Sequence, residues 1–176
     1  MIDCREWMLQ NATHSSVQLI DCMGSDRSVV NSARVSYAKD ELSKKELDDR
    51  DKKLITYLAK NKHTSPFNHA FASFKIEAPI FVARQLVKHE YLVWNEVSRR
   101  YTDKDLKFFD VRGWGKQDNN NKQGTGEPLN DKEQRLCTVA YQNLVYTSYT
   151  CYKSLLAVGV SKEDARMVLP QSTMTE

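Results

Sequence analysis

Residues 84–100 read RQLVKHEYLVWNEVSRR, and this stretch decides how the rest of the chain is understood. It gathers Arg84, Gln85, Lys88, His89, Glu90, Asn95, Glu96, Ser98, Arg99 and Arg100 within 17 positions. Helical spacing brings Arg84, Gln85 and Lys88 within one turn of each other. The stretch then leaves the helix and offers Asn95, Glu96, Ser98 and Arg100 from irregular backbone. Cations beside hydroxyl and amide donors suit an anionic nucleotide. Arginine grips a phosphate with two parallel hydrogen bonds, whereas lysine offers a point charge. Glu96 can accept from a sugar hydroxyl. The plain alternative is a charged, solvated helix face.

Upstream, Pro79 is placed as the first residue of a helix continuing through 80–89. Residues 71–78 alternate like a strand. Pro66 marks a turn within His63-Thr64-Ser65-Pro66-Phe67-Asn68-His69. Leu47, Leu54, Ile55 and Leu58 recur at helical spacing and predict an amphipathic helix over 48–60. Residues 39–53 mix both charge signs and read as a solvated surface. Residues 26–37 read as a helix, and 17–22 (VQLIDC) as a strand. Downstream, residues 111–128 are rich in glycine and asparagine and read as a long surface loop. Residues 130–156 form a long helix with Leu136, Ala140, Leu144, Thr147, Cys151 and Leu155 near one face. Ser161-Lys162-Glu163-Asp164 looks like the capped start of a short helix, ended by Pro170.

Composition bounds the class. At 176 residues the chain is expected to be one domain, 1–176. It is 40% hydrophobic and 28% charged, as soluble globular proteins are. A net charge of +3 suits anionic ligands but falls short of a nucleic-acid binder, which needs a clustered basic stripe. No apolar run approaches the roughly 18 residues of a membrane span. The first ten residues carry Asp3, Arg5 and Glu6 and do not read as a secretory signal. Cys4, Cys22, Cys137 and Cys151 form no CxxC, which points to reduced thiols in the cytoplasm and no zinc site. His63 and His69 are too few and too far apart for a metal. No GxSxG, Walker or GxGxxG motif is present.

Five ordered blocks then carry a resemblance. Lys88-His89-Glu90, seven residues, and Ser98 with Asn95-Glu96 before it and Arg100-Tyr101 after it is similar to the Arg-His-Arg…Ser hallmark of the flavin-dependent thymidylate synthases. Asn31-Ser32-Ala33-Arg34-Val35-Ser36-Tyr37 resembles the family's early block. His63-Thr64-Ser65-Pro66-Phe67 with His69 resembles its His-x-Ser/Thr-Pro-Phe-Glu-His, with Asn68 in place of Glu. Residues 79–85 resemble the helix leading into the hallmark, and Ala165-Arg166-Met167-Val168-Leu169-Pro170 the late block.

The resemblance implies a reductive methylation of dUMP to dTMP. Methylenetetrahydrofolate supplies the carbon, and FAD carries hydride from NADPH. It implies dUMP contacts at Gln85, Lys88, Glu96, Ser98, Arg99, Arg100 and Arg166. It implies FAD contacts at Ser65, Lys88, His89, Glu90 and Glu96, with Ser98 a ligand contact and not a nucleophile. The implied fold is α+β, a twisted, mostly antiparallel sheet with flanking helices and a long helix in the C-terminal half. The implied assembly is a homotetramer with shared sites. Two departures stand out. Lys88 and Glu90 replace the hallmark's arginines; Lys88 lacks the bidentate fork, and Glu90 reverses a charge. A like-charge contact with a phosphate at about 4 Å and an effective dielectric near 20 costs on the order of 4 kcal/mol. After Pro170 the chain has only residues 171–176, so the family's later FAD contacts and its uracil-activating arginine have no counterpart, and the chain is expected to be C-terminally short. The alternative is a relative that binds FAD or nucleotide without synthase activity.

Overall fold

The computed structural model describes residues 4–36 and 46–176. In chain order the elements are α1 (Cys4–Asn11), β1 (Ala12–Thr13), β2 (Ser16–Met23), α2 (Asp26–Val35), α3 (Asp49–Lys60), β3 (Phe71–Pro79), α4 (Ile80–Leu86), β4 (Phe108–Phe109), β5 (Gly115–Gln117), β6 (Thr125–Pro128), α5 (Asp131–Ala157), α6 (Lys162–Ala165) and β7 (Met174–Thr175). The mixture of helix and sheet with a long C-terminal-half helix is the α+β class expected. The described residues divide into two compact units, one of residues 17–75 and one of residues up to 16 and from 76 onward.

In the 17–75 unit, β2 lies next to β3 in a sheet and is exposed along its whole length. Gly24 turns the chain into α2 with φ +76, and a Cβ there would sit 2.4 Å from the carbonyl oxygen of His69. Only glycine accepts both that backbone and that approach. The N-cap of α3 is Asp48, whose carboxylate accepts from the Asp51 backbone N–H at 2.9 Å. Asp51 is 0% exposed. It takes the Arg27 guanidinium at 2.6 Å and that of Arg34 at 2.5 Å. Burial pushes its carboxyl up, but the Asp48 N–H and the two guanidiniums outweigh that and hold it below the usual carboxylate value. Arg27 also donates to the carbonyl of Glu46. Pro66 opens a short 3-10 turn, Ser65–His69, where the sequence placed a turn. Tyr37, and residues 39–45 of the charged segment, lie outside the described residues.

In the other unit α5 is the spine. Its N-cap Asn130 accepts from the Glu133 N–H. Trp7 of α1 packs on Tyr146 and Tyr149 of α5 at ring separations of 5.4 and 4.7 Å, and on Phe108 at 5.7 Å. Each such aromatic pair adds about 0.5–1.5 kcal/mol beyond its buried area. Val145, Tyr152, Leu106 and Ala165 complete this core. β1 pairs parallel with β4, Ala12 opposite Phe108. β7 pairs antiparallel with the end of β3, Ala78 opposite Thr175 and Pro79 opposite Met174. Thr173 bridges to Phe108, so residues 171–175 are threaded into the fold.

Two expectations need correction. Residues 111–128 are not one loop: β5 and β6 form an antiparallel hairpin, Gly115 opposite Pro128 and Gln117 opposite Thr125. Its strands, GKQ and TGEP, have little strand propensity. What holds them is Trp114, whose N–H donates to Gln134 Oε1 at 2.8 Å and whose indole donates to Thr138 at 3.1 Å. The helix expected over 80–89 stops at Leu86, with Val87 as C-cap, and Pro79 is its N-cap and not its first turn. The periodicity of α5 leaves open which face packs inward, and in the structure it is the one carrying Val145, Tyr149 and Tyr152. Leu136 and Leu144 are 71% and 62% exposed, because the buried stripe is the tyrosine-rich one at the same helical period. As expected, Ser161 caps a short helix, a single turn continued by a 3-10 turn at Arg166–Val168 before Pro170.

Candidate functional site

The site begins where α4 ends. The Lys88 and His89 backbone N–H groups fold back on the carbonyls of Gln85 and Leu86, making a turn that exposes Lys88, His89 and Glu90. Gln85 is also exposed, on the last turn of α4. Residues 91–97 then run without regular structure, as the sequence predicts. They are tied down by the threaded C-terminal segment: Thr175 donates its hydroxyl to Glu96 Oε1 at 2.6 Å, and the Val97 N–H donates to the Glu176 carbonyl at 3.0 Å. Ser98 turns the chain, its Oγ accepting from the Arg100 N–H at 3.3 Å and its carbonyl from Tyr101 at 3.0 Å.

The most organised feature lies beyond that turn. Glu163, on the single turn of α6, joins Arg100 and Arg166. Its Oε2 accepts from Arg100 Nε, and its Oε1 from Arg166 Nη2 at 2.7 Å. Arg166 Nε also donates to the Glu163 carbonyl at 3.2 Å. Partial burial pushes the Glu163 carboxyl up, but the two guanidiniums dominate and hold it below the usual value, so it is ionised at neutral pH. Next to it, Lys162 pairs with Asp103 at 2.8 Å and donates to the Tyr101 carbonyl at 3.2 Å. That ammonium holds the Asp103 carboxyl low. Arg99 is half-buried and donates to the Lys104 carbonyl at 2.6 Å. Burial lowers its pKa, against the opposing pull of Tyr152, Asp105 and Asp103.

Of the residues that the sequence singles out, Arg100 and Arg166 are thus brought together from 66 positions apart, through Glu163. Arg99 faces backbone, while Glu96 is held by Thr175. Gln85, Lys88, His89 and Glu90 stand exposed around the turn. Ser65 opens the 3-10 turn of the 17–75 unit and is exposed. Glu163 and Thr175 are missed by sequence reasoning as site residues. Glu163 carries a signal of sorts, an acidic residue three before Arg166, but the same letters also spell a helix start. Thr175 carries none, since its partner is 79 positions away.

The pair Arg100–Arg166 retains donors after serving Glu163. Arg100 has its two terminal amino groups, and Arg166 has Nη1. With two cations and one carboxylate, the cluster keeps a net positive charge suited to a phosphate or another small oxyanion.

The family model described as thymidylate synthase complementing protein matches residues 18–176. The flavin-dependent thymidylate synthase of Thermus thermophilus is 39% identical over 160 residues, covering 91% of this chain and 57% of its own length. That of Kosmotoga olearia is 40% identical over 164 residues, covering 91% and 68%. Among solved structures, a UMP/dUMP methylase, PolB from Streptomyces cacaoi bound with 5-Br dUMP, superposes with a TM-score of 0.79 at 29% identity, covering 93% of this chain and 70% of that one. The chain spans 57% of the length of the Thermus relative.

Proposed function

The chain belongs to the thymidylate synthase complementing protein family, and from that membership we propose that it works in the flavin-dependent methylation of dUMP to dTMP. The observation that carries this reading is the Arg100–Glu163–Arg166 cluster beside the Ser98 turn. The free N–H groups of Arg100 and Arg166 take the dUMP 5′-phosphate in charge-assisted hydrogen bonds, with the Ser98 hydroxyl beside them. Glu163 keeps both guanidiniums turned to one place, which lowers the ordering cost on binding. Gln85, Lys88, Glu96 and Arg99 are the further dUMP contacts in this reading. The Lys88 ammonium and Glu96 carboxylate reach the nucleotide's polar edges, and Arg99 fixes the 98–105 backbone.

The exposed turn suits FAD in its donor set. Lys88 and His89 offer two cation-capable groups for a pyrophosphate. Glu90 and Glu96 accept from hydroxyls and not from phosphate. When bound, FAD supplies hydride taken from NADPH, while methylenetetrahydrofolate supplies the carbon. The chain's own residues bind and orient; none is assigned as a nucleophile. A homotetramer is supported by the exposed leucines of α5, Leu136 and Leu144. The four free cysteines suit a reducing compartment, the cytoplasm.

Calorimetric titration with dUMP, and an absorbance spectrum with FAD followed by NADPH, test the reading. Arg100→Ala and Arg166→Ala each weaken dUMP by about tenfold or more, as expected for a charged hydrogen bond. Unchanged affinity in both refutes the phosphate assignment. Bound flavin that bleaches faster with dUMP present supports the synthase reading. Bound flavin without dTMP formation favours the non-synthase alternative, for which Glu90 on the exposed turn is the motivating observation.

A further inference from the structure

We propose that the cleft between the β5–β6 hairpin and α5 is a second ligand site, for a flat ring carrying several negative charges, of the nucleoside polyphosphate class. The inference goes beyond dUMP methylation and uses none of the residues assigned to it.

The first ground is charge. The cleft is an open groove of about 1080 Å³, roomy enough for a small-molecule ligand. Arg112, in the irregular segment before the hairpin, and Arg135, on α5, both line it, and no aspartate or glutamate does. The chain as a whole is nearly balanced, with 26 basic and 23 acidic residues. Arg27, Arg34, Arg100 and Arg166 each meet a carboxylate. Arg112 and Arg135 have no such partner among the described residues. Two guanidiniums without a carboxylate partner lining one cleft suit a polyphosphate, which each can grip with paired donors.

The second ground is the aromatic wall of the same cleft. Trp114 lines the cleft with its own polar groups already satisfied. Its backbone N–H donates to Gln134 Oε1 at 2.8 Å, its carbonyl accepts from Gln134 Nε2 at 2.6 Å, and its indole N–H donates to Thr138 at 3.1 Å. Tyr141 packs edge-on against it at 5.9 Å. The ring is therefore fixed before any ligand arrives, a flat surface for a heterocycle with little ordering cost. The Gln142 amide on the next turn of α5 also lines the cleft and offers a donor and an acceptor to ring polar atoms. Gly113 faces open space: a Cβ there meets nothing within 4 Å. A side chain can thus be added at that point without disturbing the fold.

The test is calorimetric titration with ATP in the full chain carrying Arg100→Ala and Arg166→Ala, so that the phosphate site of the proposed function is silenced and its failure stays separate. ATP is expected to bind once per chain in that background. Arg112→Gln and Arg135→Gln are each expected to weaken it by about tenfold or more. Gly113→Asp, which sets a carboxylate in the cleft, is expected to abolish binding while leaving the circular dichroism melt unchanged. Adenosine and tripolyphosphate, each lacking half the chemistry, are expected to bind more weakly than ATP. The proposal is overturned if ATP fails to bind at about 1 mM. It is overturned equally if the Arg112→Gln/Arg135→Gln protein binds ATP as the parent does, or if tripolyphosphate alone matches ATP.

Discussion

Asp51→Asn is the substitution whose cost can be worked out most directly. The asparagine keeps the shape but removes the charge that faces two guanidiniums at 2.6 and 2.5 Å. Asp51 is wholly buried, and the side chains of Arg27 and Arg34 are only 10% and 18% exposed. Removing one member of a buried pair leaves an uncompensated charge and costs about 3–5 kcal/mol. For a chain of this size each kcal/mol lowers Tm by about 2–4 °C, so the fall should be on the order of 6–20 °C. Acid should expose the same group. Its folded pKa lies below the unfolded value of about 3.9, so its contribution is complete above that value and fades as pH falls through the folded one. The gap between parent and variant should therefore narrow below about pH 4. Thermal melts of both proteins from neutral to acid pH read this directly. A loss at pH 7 under about 1 kcal/mol, or a gap that does not depend on pH, would refute the assignment of Asp51 as the ionised centre of the unit.

Three further outcomes are expected. Glu90→Arg should tighten FAD by about thirtyfold, since a charge at about 4 Å in water is worth about 1 kcal/mol and the substitution both removes a repulsion and adds an attraction, about 2 kcal/mol together; equal flavin affinity would mean that residue 90 points away from the phosphates. Leu144→Glu should break the oligomer in sedimentation velocity, because the introduced carboxylate would be desolvated in the interface; an intact tetramer would remove the exposed α5 leucines from the assembly. Trp114→Ala should cost about 2 kcal/mol or more and release the hairpin, seen as fast amide exchange at 115–128 with slow exchange kept in α5; unchanged protection there would mean the hairpin stands without its anchor.

Several regular elements were legible where local chemistry decides them, whereas the helix α1 at Cys4–Asn11 was not. Asp48 and Asn130 cap α3 and α5 by hydrogen bonds three residues long, and the strand and turn residues of 17–22 and 63–69 act over similar distances. The hairpin at 115–128 was not legible, because its strands are held by Trp114 against Gln134 and Thr138, 20 and 24 positions away. The inward face of α5 was not legible either. Leucines and tyrosines recur there at the same period, and only the packing of Trp7 chooses the tyrosines.

The candidate site divides along the same line. The sequence alone determined which groups are available: the ordered blocks, the Lys88-His89-Glu90 variant of the hallmark, the Ser98 turn, and the two arginines at 100 and 166. It could do so because residue type and order are written in the chain. The tertiary structure alone decided that Arg100 and Arg166 share Glu163, and that Thr175 secures Glu96. The reason is that a hydrogen bond acts over about 3 Å of space whatever the separation along the chain.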